Sequence, residues 1–543
     1  MRVKPAFSPA DRSRARARAW RAAGVLLVAS GLFAALAWPL RTYLIDDTYI
    51  HLQYAKNFRD GHGLVFNVGE RVYGTTSPLW SLGLGWLGRS GIDLFGLAKA
   101  LALLFGFGSL LATALALRRF LDAWVEEHAF GAGRAELAWA LGVLAFAADP
   151  WLVRWSSSGM ETALGVFLVA AGFAAYFGRR PWGNHVFRPA VWWSLAALVR
   201  PEALLLLVGL VLRIALSSSP PGLKLRRLAW VALPAILVHG PWLAYAASFY
   251  GTITPATLAA KTAAGTGPVV FGLSLFRQIQ ELAASRGVEM VALLALLPLF
   301  SAALWRRRAE HFLPLLWLFG VPLLYALRGV HPISRYLLPL APVLICYAWG
   351  ALATVAASER RRVGLAAAKL VAIAAAALLL DGVVYGRLVL PHAQAFSEDM
   401  RHTLGGLAAW CRERTPPDAA VAIPDIGLFG YESGRPVVDL AGLVTPGIAR
   451  LIREVGNSEE GTLVTGLAFE SVARPAYLVD RADRPRRLLF ESPYAPCLEV
   501  LYVGSVRYRG LRHPDPAYYT LYRVDWEAFD RMAGAQRHAR AGN

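Results

Sequence analysis

Residues 44–80 read LIDDTYIHLQYAKNFRDGHGLVFNVGERVYGTTSPLW, and they follow an apolar stretch at 22–40 that seven basic residues precede. An apolar run of that length suits a helix crossing a hydrocarbon core of ~30 Å, and the basic leader holds its start in the cytoplasm. Ala35-Leu36-Ala37 has the look of a small-residue cleavage site, but the stretch is long enough to span and an uncleaved anchor is expected. Asp46 and Asp47 then fall within about a turn of the membrane boundary, where two adjacent carboxylates are costly unless partnered or used. TYIHLQYAKNF predicts a helix, which puts Asp47, His51 and Tyr54 on one face by i, i+4, i+7 spacing. Capping of that helix accounts for one Asp better than for two.

Outward from this stretch the chain stays apolar. Of 543 residues 56% are hydrophobic and 17% charged, and the mean hydropathy is +0.42, which excludes a string of soluble domains. After 22–40, further spans are expected at 95–117, 137–153, 160–177, 190–200, 202–216, 228–248, 288–304, 312–327, 336–356 and 365–385, about eleven in all. The net charge of +19 comes from 56 basic and 37 acidic residues and would suit nucleic acid if it were clustered on one surface. It is spread instead among short connections, at Arg179 and Arg180, Arg226 and Arg227, Arg306 to Arg308, and Arg360 to Arg362. With the leader inside, every one of these clusters falls in the cytoplasm, and an odd span count sends the tail outside. No nucleic-acid partner is expected. The weakest spans flank Arg200-Pro201-Glu202, and short helices at membrane depth are tolerated where protein or a water-filled cavity surrounds them, so this pair is expected to line a site.

SPLWSLGLGWLGRSG, at 77–91, is apolar but too short to span and is read as lying in the interface. From 386 the chain alternates apolar runs with Gly, Pro and Asp turns, as strands and short helices do, over a length sufficient for its own core. The expected organisation is a membrane module over 1–385 and a soluble extracytoplasmic α/β domain over 386–543. Three cysteines exclude a disulfide scaffold. Cys346 suits packing, while Cys411 and Cys497 are available to pair if the tail meets an oxidising compartment.

Other polar residues gather at the same outer depth: Arg154 and Glu161 in RWSSSGMETAL, Arg200 and Glu202 in LVRPEALL, Lys261 in YGTITPATLAAK, and Arg328, His331 and Arg335 in RGVHPISRYLLP. Each alone has a plain explanation, as a turn, an ion pair or a snorkelling cation. Together they put acids and cations beside apolar surface that suits a lipid. Arg and Lys suit a phosphate, and a carboxylate suits an acceptor hydroxyl that must lose its proton. No Walker loop, Rossmann fingerprint, zinc spacing or GxSxG elbow is present in the sequence.

The stretches DDTYIHLQYAKNFRDGHGLVFNVGERVYGTTSPLW, SSGMETAL, LVRPEALL, GTITPATLAAK, SRYLLPLAP and IPDIGLFGYESGRPVVDLAGLV resemble, in order, those of GT-C membrane glycosyltransferases. These enzymes take a sugar from a polyprenyl-phosphate carrier on the non-cytoplasmic face. Within the class the chain is most similar to the terminal arabinofuranosyltransferases of mycobacterial cell walls and their bacterial relatives. The resemblance implies a polytopic α-helical GT-C-like bundle with an outer-face site in a bacterial plasma membrane, and a C-terminal domain outside. It implies a polyprenyl-phosphate-linked donor, a cell-envelope acceptor and a single inverting displacement. Asp46 or Asp47 would be the base. Lys261, Arg335 and His331 would hold the donor phosphate with Arg200 and Arg154 behind them, and His51, Tyr54, Glu161 and Glu202 would support the site or bind acceptor. No cofactor is expected, since cationic side chains supply the charge a divalent metal would bring. Arabinose specificity does not carry over. Two other readings remain open from the residues: a transporter or flippase of lipid-linked sugars, for which mid-membrane polar residues and an inverted repeat are missing, and a plain membrane anchor, which leaves the acid pair unexplained.

Overall fold

The computed structural model describes residues 9–128, 132–178, 181–182, 184–256, 267–330, 332–358, 363–455, 460–507 and 515–541. Every expected span is mostly helical, although 137–153 is divided between two helices. Pro9–Ala37, Leu94–His128, Pro221–Tyr250, Pro268–Arg306, Arg308–Leu327, Ala341–Ser358 and Val363–Val384 are long, whereas Thr162–Tyr176, Phe187–Ala197 and Leu204–Ala215 are short. By length and composition six described helices are able to cross a membrane, or seven if Gly133–Ala147 and Pro150–Ser156, bent by 50°, form one crossing. That count of described helices is fewer than eleven, in part because the Arg200-Pro201 break leaves 11 and 12 residues on its two sides.

Helix breaks organise the interior. Asp149 ends one helix and starts the next, its Oδ1 accepting from the Trp151 and Leu152 amides at 2.8 Å. Arg286 sits at a kink (φ −117°, ψ 19°). Its guanidinium meets Asp149 at 2.9 Å, Glu289 at 2.9 Å and Asp381 at 2.8 Å, all almost fully buried. One arginine thus ties two broken helices to Val363–Val384.

That last helix does not stop where the composition changes near 386. It runs on through π turns at 385–389 and 401–405 to Arg414. Beyond it lies a five-stranded mixed sheet of β1 (Val421–Ile423), β2 (Val437–Asp439), β3 (Tyr477–Ala482), β4 (Leu498–Val506) and β5 (Ala517–Val524), in the order β2-β1-β3-β5-β4. β1 is parallel to β2 and β3, while β5 is antiparallel to β3 and β4. Alternation along the strands gives the sheet two apolar faces. Val421, Ile423, Tyr477, Val479 and Leu521 join the core of the helical bundle, whereas Ala422, Leu478, Tyr522 and Val524 pack in a second core with Phe529. Cys411 and Cys497 are both free and buried, each in its own core, so the disulfide left open by the sequence is not formed.

The 44–80 stretch lies between bundle and sheet. Asn67 donates to the Val437 carbonyl at 2.8 Å and accepts from the Val437 amide at 3.0 Å, continuing the sheet from the edge strand β2 with a side-chain amide. The Leu44 amide donates to Ser397 Oγ at 3.1 Å, and Arg401 donates to the Thr42 carbonyl at 2.6 Å. Within the stretch, Pro78–Leu87 is the expected short apolar helix, with Trp80 buried and Trp86 exposed.

Candidate active site

The helix that carries the acid pair spans Asp46–Arg59 and starts from extended Ile45 (φ −142°, ψ 143°). Consecutive helical residues point about 100° apart, and the two acids part company. Asp46 is buried, and its oxygens accept from the Gly427 amide at 2.9 Å and the Leu428 amide at 2.8 Å. It therefore does act as a cap, but for the helix Gly427–Ser433. Gly427 is required for this approach, since a Cβ there would overlap the Asp46 carbonyl oxygen. Behind it, Asp425 accepts from Arg481 at 2.8 and 2.9 Å and from the Tyr519 hydroxyl at 2.6 Å. Burial, then the Asp425 and Asp47 charges, push the Asp46 carboxyl up to about 7, against the two amide hydrogen bonds that favour its ionised form.

Asp47 turns the other way and stays more open. Its side chain is 40% exposed and meets Arg335 Nη2 at 2.6 Å. Arg335 also donates to Met160 Sδ and the Tyr336 hydroxyl, each at 3.1 Å, and stacks on the rings of Trp155 and Tyr336. Trp155 Nε1 donates to Ser334 Oγ at 3.0 Å, fixing the short helix Ser334–Leu337 that presents this arginine.

Next to it a second acid–base group is more deeply buried. Glu161 meets Arg200 Nη2 at 2.8 Å and His51 Nε2 at 3.2 Å. Arg200 adds a hydrogen bond to Thr162 Oγ1 at 2.9 Å, lies 3.9 Å from Glu202 and stacks on Tyr336. The extended backbone of Arg200 (φ −141°, ψ 105°) at the helix break turns the guanidinium inward. His51 Nδ1 pairs with Ser81 Oγ at 3.1 Å. Arg154 donates to the Tyr43 hydroxyl at 3.1 Å and lies between the Tyr43 and Trp155 rings.

Asp47, His51, Arg154, Glu161, Arg200, Glu202 and Arg335 thus come together from five separate segments. Tyr54 does not join them: it packs edge-on to Phe66, with its hydroxyl beside Gly74. Lys261 and His331 lie outside the described residues. Sequence reasoning missed Tyr43, Trp155 and Tyr336, although Trp155 and Tyr336 are the immediate neighbours of two singled-out arginines. It also gave no role to Asp425 and Gly427, although both lie in the IPDIGLFGYESGRPVVDLAGLV stretch that carries the resemblance.

Chemically, the group sets one half-exposed carboxylate against a guanidinium, backed by a buried carboxylate between an arginine and a histidine. Such an arrangement can take a proton from a hydroxyl at Asp47 and hold a phosphate at Arg335.

A family model described as a domain of unknown function (DUF8728) matches residues 393–537. The chain is 28% identical over 252 residues to the terminal beta-(1->2)-arabinofuranosyltransferase of Mycobacterium tuberculosis, covering 43% of this chain and 37% of that protein. It is 28% identical over 258 residues to the enzyme of the same name from Corynebacterium glutamicum, covering 44% and 36%. The matched region spans little more than a third of the length of these relatives. Among solved structures, ArnT from Cupriavidus metallidurans bound to undecaprenyl phosphate aligns with a TM-score of 0.55 at 16% identity, over 91% of this chain and 97% of its own. The oligosaccharyltransferase AglB of Archaeoglobus fulgidus, in complex with an inhibitory peptide and a dolichol-phosphate, aligns with a TM-score of 0.53 at 14% identity, over 85% and 69%. In fold, then, the chain is a polytopic membrane protein of the GT-C type, and part of its sequence is similar to terminal arabinofuranosyltransferases.

Proposed function

We propose that the protein is an inverting glycosyltransferase that moves a sugar from a polyprenyl-phosphate carrier to a cell-envelope acceptor on the outer face of a bacterial plasma membrane. The observation that carries this reading is the half-exposed Asp47 carboxylate held against Arg335 at 2.6 Å. Asp47 takes the proton of the acceptor hydroxyl as that oxygen attacks the anomeric carbon. The bond from this carbon to the phosphate oxygen breaks on the opposite face, and the polyprenyl phosphate leaves with the bonding pair. Arg335 has two uses: it orients Asp47 in the resting site, and it meets the growing charge of the leaving phosphate, where a preorganised cation lowers the barrier most. Arg200 and His51 are held by Glu161 and support that field. We assign the phosphate to Arg335 with Lys261 and His331, and we propose that no metal is needed, since guanidinium charge stands beside each acid of this group.

The likeness in fold to proteins bound to undecaprenyl phosphate and dolichol-phosphate supports the carrier class, and the partial similarity to arabinofuranosyltransferases supports sugar transfer. The charge pattern supports eleven crossings, a cytoplasmic N-terminus, a membrane module over 1–385 and an outer domain over 386–543, because every residue of the clustered site then falls on the outer side.

The test is transfer by the purified protein in nanodiscs, supplied with a panel of polyprenyl-phosphate sugars and envelope glycan acceptors. Asp47→Asn is expected to lower kcat by at least about a hundredfold, the lower range for a lost general base, with donor binding retained. Full activity in this variant would remove Asp47 as the base.

A further inference from the structure

A second cationic cleft lies at the opposite end of the helix that bears the acid pair. It encloses about 520 Å³ and is lined by Phe58, His62, Arg71, Arg89, Tyr245 and Phe249, with the glycines of the 61–69 loop. No acid lines it. The nearest acids in sequence are engaged elsewhere, Asp60 with Arg59 at 2.9 Å and Glu70 with Asn67 at 3.0 Å. Arg71 stacks on Phe249 at 5.0 Å and Arg89 on Phe58 at 5.5 Å. Among the described residues neither guanidinium has a carboxylate or carbonyl partner. Stacking occupies the flat face of a guanidinium and leaves its N–H edge for a planar or tetrahedral oxyanion.

The cleft is built into the fold. Gly63 has φ +83°, and a Cβ there would come within 2.5 Å of the Phe249 ring, so the loop closes on the aromatic wall only with glycine at this position. Its depth follows from the elements that frame it. Tyr245 and Phe249 lie in the last turns of Pro221–Tyr250, a membrane-length helix whose Ile236 and Leu237 are exposed as lipid-facing residues are. Arg89 follows the short apolar helix Pro78–Leu87, whose Trp86 is exposed. Aromatic rings and cations at the end of a span mark the level of lipid head groups.

We infer that this cleft binds the anionic phosphate head group of a membrane lipid, at a site separate from the Asp47–Arg335 cluster. Phe58 is eleven positions along the helix from Asp47, which at ~1.5 Å per residue sets the two about 16 Å apart. A phosphate held at Arg71 and Arg89 is therefore not the one at Arg335. The inference stands on its own geometry and holds whichever reaction the other cluster performs.

The experiment is native mass spectrometry of the full-length protein released from nanodiscs of phosphatidylglycerol and phosphatidylcholine, compared with the double variant Arg71→Gln, Arg89→Gln. The wild type is expected to retain a phosphatidylglycerol that the double variant binds at least tenfold more weakly, and Arg71→Lys, Arg89→Lys is expected to recover part of that binding. Asp47→Asn, in the other cluster, is expected to leave it unchanged. Equal retention by wild type and double variant, with both showing the same thermal unfolding, would overturn the inference. So would displacement of the lipid by low millimolar inorganic phosphate, which would make free phosphate the ligand.

Discussion

Two neighbouring aspartates stand in different surroundings because a helix turns them to different partners. Asp47 is 40% exposed and opposed by one arginine, whereas Asp46 is closed between two backbone amides. The burial of Asp46 has a pH signature. Its native pKa of about 7 lies above the ~4 of an unfolded chain, so the native state holds this proton more tightly. The stability it contributes is complete below about pH 4 and is lost as pH rises through about 7. Thermal unfolding in detergent is expected to show the wild-type Tm falling between about pH 4 and pH 7. Asp46→Asn should flatten that slope and lower Tm at the acid end, since an amide offers one acceptor oxygen to two N–H donors. An unchanged slope would mean that Asp46 is not the titrating group. The acid pair itself was legible as a motif. Its division of labour was not, because it is decided by amides far along the chain that carry no side-chain signature.

Among the elements, interruptions matter more than the helices they interrupt. Arg200-Pro201 is visible in the sequence because proline marks the break, and at that break Arg200 turns inward to meet Glu161. The kink at Arg286 is not visible: nothing in AASRGVEM separates it from an ordinary amphipathic turn, and Asp149 and Asp381 come from distant helices. Three carboxylates share this one guanidinium, so the two kinds of deletion are unequal. Arg286→Leu leaves buried acids without a counter-charge and is expected to cost about 3–5 kcal/mol, the usual range for breaking a buried pair. Glu289→Gln keeps two acids on the arginine and should cost clearly less. Yield of folded protein and Tm measure both, and equal losses would show that the network acts by packing alone. The short helices also explain why the charge and hydropathy pattern yields eleven crossings while length and composition qualify six or seven of the described helices: a short helix at membrane depth is tolerated where protein surrounds it.

At the scale of the whole molecule, the boundary between membrane and outer parts is less sharp than composition suggested. A polar tail with strand-like alternation was legible, and the sheet is there. Its inner face, however, packs in the same core as the membrane helices, and a continuous helix carries the chain from one to the other. Topology is the matching test. In a background lacking Cys346, Cys411 and Cys497, Gly534→Cys is expected to react with an impermeant maleimide on intact cells. Ser218→Cys, in the turn after Leu204–Ala215, should react only after lysis. The reverse pattern would invert the assigned orientation and place the Asp47–Arg335 cluster in the cytoplasm.

The hydrogen bonds from Gly427 and Leu428 to Asp46 join residues 381 and 382 positions apart. At about 5–20 residues per second, a ribosome needs roughly 20–80 s to travel from one to the other. Throughout that interval the first outer helix is already made while its acid has no amides to receive it. A truncated or stalled chain therefore has the carboxylates but not the amides that hold Asp46 apart from Asp47, and the division of the pair becomes complete only when more than three quarters of the chain has been made.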